Sequence, residues 1–253
     1  MRSIRRPGAS LTKQSGGGTI PSPMSRALLI CGNTENPLPS LTQLAVQAGF
    51  LVVGPEAPAP ALSLPAWNRR SPLAARTVLT QAAHAVAGQS VSGQSANTRA
   101  PDHGPASPRP AVTDIVYVHR CSLGSAALHE LSAPDIERAV DEQVKGRLFL
   151  IREAVAALRR DGGGTLSLVM IGEIAAETPP LEADLAAGFL ALGRSMFAWY
   201  RNEPITIRGF QTDESFLDDF AGRLVEELTT GSAKSAGKWQ RFTGRSGLFS
   251  FGR

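Results

Sequence analysis

Strand-length apolar runs alternate with helix-period segments along most of this chain, and that alternation is its strongest constraint. Ala27, Leu28, Leu29 and Ile30 run into Gly32, and one helix length later Gly49-Phe50-Leu51-Val52-Val53 forms a second run. Further strand patterns lie at 113–118, 165–171 and 205–210. Between them the spacing predicts helices at 73–87, 136–158, 181–200 and 216–228. The best marked has Ser132 with Asp135 three positions on and Pro134 in its first turn, the chemistry of a helix start. Its apolar residues Ile136, Val140, Val144, Leu148, Ile151, Val155 and Leu158 recur at gaps of three or four, predicting one buried stripe. Strands alternating with helices imply an α/β fold with a doubly wound parallel sheet, a three-layer sandwich.

Composition divides the chain. Five of its 26 basic residues precede residue 27 and five follow residue 230, and neither end holds an acid. The middle therefore carries 16 basic against 22 acidic residues. The reading is a disordered basic extension at 1–23, one domain at 24–230, and a basic, aromatic tail at 231–253. Residues 88–111 form a low-complexity loop of Gln, Ser, Asn, Pro and Gly. The extension has a transit-peptide composition without an apolar face, and no secretory core, so Met24 reads as a functional start. The ends read as solvated tails rather than nucleic-acid binders, because no aromatic platform interleaves with the N-terminal one. In the C-terminal tail Trp239, Phe242, Phe249 and Phe251 do interleave with basic residues, and packing against the body is the favoured reading. No apolar run approaches the roughly 18 residues of a membrane span. Two cysteines, Cys31 and Cys121, make no disulfide framework and fit a reducing cytoplasm; they read as buried thiols, with a redox pair as the alternative. His84, His103 and His129 show no metal-ligand spacing.

The first turn reads Gly32-Asn33-Thr34-Glu35-Asn36-Pro37-Leu38-Pro39. Together with Gly49, the run Asp114-Ile115-Val116-Tyr117-Val118, the segment from Ala139 through Gln143 and Gly146 to Leu150, and Gly162-Gly163-Gly164-Thr165-Leu166, it resembles the short-chain dehydrogenase/reductase superfamily. The resemblance spans about 26–230 and implies a Rossmann-like, NAD(P)-binding fold and a subunit interface through two helices. On it, Gly32, Asn33 and Asn36 are the cofactor-binding candidates, and Glu56 stands where a ribose-binding acid is expected. The departures bear on chemistry. Asn36 and Leu38 replace two glycines of the phosphate turn, and Pro37 and Pro39 lack N–H donors. Gln143 stands in place of an Asn. The serine position falls near Ile171 or Gly172, and the Tyr and Lys positions near Glu182 and Ala186. No Tyr lies between Tyr117 and Tyr200 and no Lys between Lys145 and Lys234.

The family's acid/base set is therefore missing, and no catalytic residue is assigned. His119 and Glu173, at the carboxyl edge of the strands, are the candidates for a replacement, with Arg120 and Glu177 beside them. The leading reading is a non-catalytic binding, regulatory or partner subunit with no cofactor or a weakly held NAD(P). The alternative is a divergent NAD(P)-dependent oxidoreductase acting on a carbonyl or alcohol. Leu185, Phe189, Leu192, Met196, Phe197, Trp199 and Tyr200 exceed what one sheet contact needs, which predicts a homo-oligomer or a hetero-oligomer with an intact family member.

Overall fold

The computed structural model describes residues 26–34, 37–92, 111–121, 126–231 and 235–244. Among the described residues seven strands form one parallel sheet in the order β3-β2-β1-β4-β5-β6-β7. They are β1 (Ala27–Gly32), β2 (Leu51–Pro55), β3 (Leu62–Leu64), β4 (Val112–Arg120), β5 (Gly164–Ile171), β6 (Ile205–Thr212) and β7 (Trp239–Phe242). Because side chains alternate along a strand, each strand feeds two cores. Leu29, Ile115, Tyr117, Leu168 and Met170 point one way, onto α2 (Pro72–Ser92), α4 (Gly146–Arg160) and α5 (Pro180–Trp199). Leu28, Ile30, Val116, Val118 and Val169 point the other way, onto α1 (Pro39–Gln47) and α6 (Leu217–Thr230).

Several elements differ from the sequence expectations, each for a physical reason. The helix over 73–87 continues to Ser92 as α2, so residues 88–92 are helical rather than loop, and 93–110 lies outside the described residues. Strand β3 was not foreseen. It pairs only with Val53, Gly54 and Pro55, so the return from β2 spans about 7 Å and needs no crossover helix. The long helix has three parts: α3 (Ala133–Ala139), a π-helical segment (Val140–Lys145) and α4. Ser132 caps α3 through the Asp135 N–H. The wider π turn, closed by Gly146 N–H on the Asp141 carbonyl, rotates the helix face. The inward residues are Ala139, Gln143, Gly146, Arg147, Leu150, Ile151, Ala154, Val155 and Leu158; the predicted stripe fails in its first half, and Leu148 is 43% exposed.

Past the expected domain boundary, β7 adds a strand to β6 and brings Trp239 against α5. Leu185, Phe189, Met196 and Phe197 are buried within the chain, partly beneath that ring, and Leu192 and Tyr200 are half-buried. The apolar surplus on α5 is thus consumed internally, and Trp199, 81% exposed, remains outside. Residues 1–25 and 245–253 lie outside the described residues. Among the described residues no helix is long and apolar enough to cross a membrane.

At the amino edge of the sheet, Arg26 and Asp114 form a two-point ion pair at 3.1 and 2.6 Å. Arg26 also donates to the Leu228 carbonyl and Arg208 to the Glu227 carbonyl. Two cations therefore close the carbonyl end of α6, where its dipole is negative.

Candidate functional site

In an open parallel sheet, ligands sit beyond the carboxyl ends of the strands, where the order reverses between β1 and β4. Gly32 ends β1 at that point. A Cβ there would lie 2.4 Å from the Val118 carbonyl oxygen and 3.0 Å from Pro37 Cβ, so this glycine serves strand contact. Asn33 is buried and spans the gap to β4: its N–H reaches the Val118 carbonyl at 3.1 Å, and its side chain exchanges two 2.8 Å hydrogen bonds with the Arg120 backbone. Its Nδ2 also meets Gln143 Oε1 at 3.4 Å. Asn33 thus extends the sheet pairing, its groups committed to protein partners. Asn36 lies outside the described residues.

The start of α1 is equally unsuited to a phosphate. Leu38 is buried at the N-cap, Pro39 has no N–H, and the Leu41 and Thr42 N–H groups turn back to the Leu38 carbonyl. Ser40 Oγ donates to Asp218 at 2.5 Å, so a protein carboxylate already stands at the positive end of this helix. The cleft between β1 and β2 holds about 50 Å³, walled by Pro37, Glu56, Trp67 and Arg69. Ligand pockets commonly run to about 300–1,000 Å³. The turn carrying Trp67 and Arg69 is fastened down: a Cβ on Gly146 would lie 2.8 Å from the Arg69 carbonyl oxygen, and Arg70 pairs with Glu142 at 2.9 Å.

The two acid/base candidates are not brought together. His119 is 1% exposed, stacked 4.9 Å from the Phe189 ring, and its Nδ1 has no partner among the described residues. Burial, then the nearby Arg147 cation, pulls its pKa down to about 3. Glu173 is exposed and pairs with Arg241 at 2.6 Å; Glu177 is exposed as well. Arg120 pairs with Glu214 at 3.1 Å. Cys31 is buried with its Sγ on the Val116 carbonyl, and burial raises its pKa strongly; Cys121 is half-buried. Both thiols are free. No cluster of three or more His, Cys, Asp or Glu suited to a metal occurs among the described residues.

The sequence reading missed Arg147. The π segment turns it inward, where its guanidinium donates to the Leu185 carbonyl at 2.8 Å and lies 5.7 Å from the Phe189 ring centre. Its position one residue after Gly146 was visible, but the rotated face was not.

The neutral His119 has a measurable consequence. Its folded pKa lies below its ordinary value near 6.5, so the unfolded chain binds the proton more readily as pH falls. Stability is therefore full above pH 6.5 and declines towards pH 3, by about 2 kcal/mol between pH 8 and pH 5. Urea unfolding at both pH values measures it. His84 and His129 are exposed, so the His119→Leu variant is expected to lose most of this slope. An unchanged slope would contradict the assignment.

The strand order and layering decide the architecture. The fold is that of the short-chain dehydrogenases/reductases. A Serratia marcescens short-chain dehydrogenase/reductase variant superposes with a TM-score of 0.63 at 13% identity, over 88% of this chain and 98% of that one. An NADH-dependent reductase, A1-R', crystallised with NAD, superposes at 0.62 and 13% identity, over 87% and 96%. No family model matches the sequence, and no curated protein matches it by sequence. Within the short-chain dehydrogenase/reductase frame, the residues around the sequence-expected Asn and Tyr positions come together: Gln143 and Glu182 line one cavity of about 210 Å³ between the π segment and α5. Ala186, near the expected Lys position, is buried, and Gly172, near the serine position, lies against Cys121.

Proposed function

We propose that this chain is a short-chain-dehydrogenase-like protein that performs no hydride transfer and acts as a binding, regulatory or partner subunit. The observation that carries this reading is the closed cleft beside Gly32: about 50 Å³, narrowed by Pro37 and the Trp67–Arg69 turn. Hydride transfer needs a dinucleotide laid across the sheet edge, and the small volume of this cleft argues against one there. Near the family's acid/base positions stand Glu182 and Ala186, so no Tyr–Lys pair supplies a proton.

Assembly with a second copy, or with an intact relative, through the outer faces of α4 and α5 is part of the proposal. The exposed Trp199 supports it, since a largely exposed indole at a helix end is a common anchor at interfaces. We place the protein in the cytoplasm on its free cysteines. The test is titration with NADH and NADPH, for which no saturable binding is expected; binding would instead favour a divergent oxidoreductase.

A further inference from the structure

A guanidinium can only donate, and burying part of one without a polar or negative partner is unfavourable. Arg69 is in that state among the described residues. Its Nε is buried without a hydrogen-bond partner and its side chain makes no ion pair, although its neighbour Arg70 pairs with Glu142. Packing sets where this side chain starts: a Cβ on Gly146 would lie 2.8 Å from the Arg69 carbonyl oxygen and 2.9 Å from Arg69 Cβ, so α4 abuts the residue. The cation acts inward. Burial and then Cys31 push the Tyr117 pKa up, and the Arg147 and Arg69 cations oppose the rise.

Arg69 lines the cleft of about 50 Å³ beside Gly32, and a second group in that lining is in the same condition. Thr34 Oγ1 is buried without a hydrogen-bond partner among the described residues. A buried donor left unpaired is costly, and a ligand oxygen would satisfy both. The rest of the cleft limits that ligand. One water-sized group needs about 10–15 Å³, so the space takes about four heavy atoms. Pro37, Pro55 and Ala66 give it an apolar wall. The carboxylate on the wall, Glu56, is exposed, and it disfavours an anion of more than one charge.

We propose that this cleft binds a small monocarboxylate of about acetate's size. The carboxylate accepts from Arg69 Nε and from the Thr34 hydroxyl, and its methyl group lies against the proline wall. This deepens the binding-subunit reading and rests on the closed cleft of that reading. The two fail separately: micromolar NADH binding would overturn the non-catalytic reading, whereas absent carboxylate binding would overturn this site alone.

The experiment is ligand-observed NMR of the full chain at constant ionic strength with acetate, its neutral twin acetamide, the oversized benzoate, and inorganic phosphate. Acetate is expected to saturate with a dissociation constant of about 1 mM or below, and each of the others to bind at least about tenfold more weakly. Arg69→Gln is expected to weaken acetate by more than about tenfold and Thr34→Val by about tenfold, the effects of losing hydrogen bonds to a charged group. No saturation by acetate would show that water or a protein carboxylate serves Arg69, and would overturn the proposal. So would acetamide, benzoate or phosphate binding as tightly as acetate, or unchanged affinity in Arg69→Gln. Both residues are half-buried, and Thr34→Val keeps the test sharp if Arg69→Gln folds poorly.

Discussion

Trp239→Ala is expected to destabilise the protein by about 3–5 kcal/mol, the range for removing a large packed aromatic. The indole lies in a slot made by two glycines. A Cβ at Gly193 or at Gly209 would come within 2.5 Å of the ring, so both positions are small because Trp239 is there. Its edges meet Phe189 and Phe197, each 5.7 Å away between ring centres, and its Nε1 donates to the Leu190 carbonyl at 3.0 Å. Truncation to Ala empties the slot and removes the indole hydrogen bond to α5. Neither glycine has a side chain that can close the gap, so collapse is limited. Trp199→Ala, on an exposed indole, serves as the control and should change stability by less than about 0.5 kcal/mol. Urea midpoints of the two variants decide. Equal midpoints would show that β7 is a dispensable edge.

A loss of about 3 kcal/mol is expected for Asp114→Ala. Its carboxylate is fully buried and holds Arg26 at two points and the Thr113 hydroxyl at 2.8 Å. Asp114 also lies in the field of the buried Arg208, whose pKa burial lowers and whose charge Glu227 and Asp114 help to sustain. Without the carboxylate, two guanidiniums at the end of α6 share too little negative charge, and the breaking of a buried ion pair is costly for that reason. Asp114→Asn keeps the shape and loses the charge, so it should recover little. If Asp114→Asn matched the wild type in urea, hydrogen bonding rather than charge would be holding the end of α6.

The sheet was legible because runs such as Leu166 to Ile171 and Ile115 to Val118 are buried on both faces, and a strand of that kind reads as a nearly continuous apolar run. The register of the long helix was not. Its gaps of four between Ile136 and Leu148 match an ordinary helix, and the π segment that rotates the face is an additional residue in a turn with no compositional mark. Strand β3 escaped because three residues carry no periodicity, and β7 because Trp239 to Phe242 is a short run set among basic residues. At the site, the missing Tyr and Lys were plain from the sequence. The tie from Asn33 to Arg120 was not, because it joins residues 87 apart. Nor was the plugging of the cleft by the turn at Trp67, a property of tertiary contact alone.

The measurement closest to the central claim is isothermal titration of the purified chain with NADH and with NADPH. A cleft of about 50 Å³, with Asp218 at the first turn of α1 and Asn33 bonded to Arg120, predicts no saturable heat below millimolar ligand and no rise in melting temperature. Micromolar affinity for either dinucleotide would contradict the account.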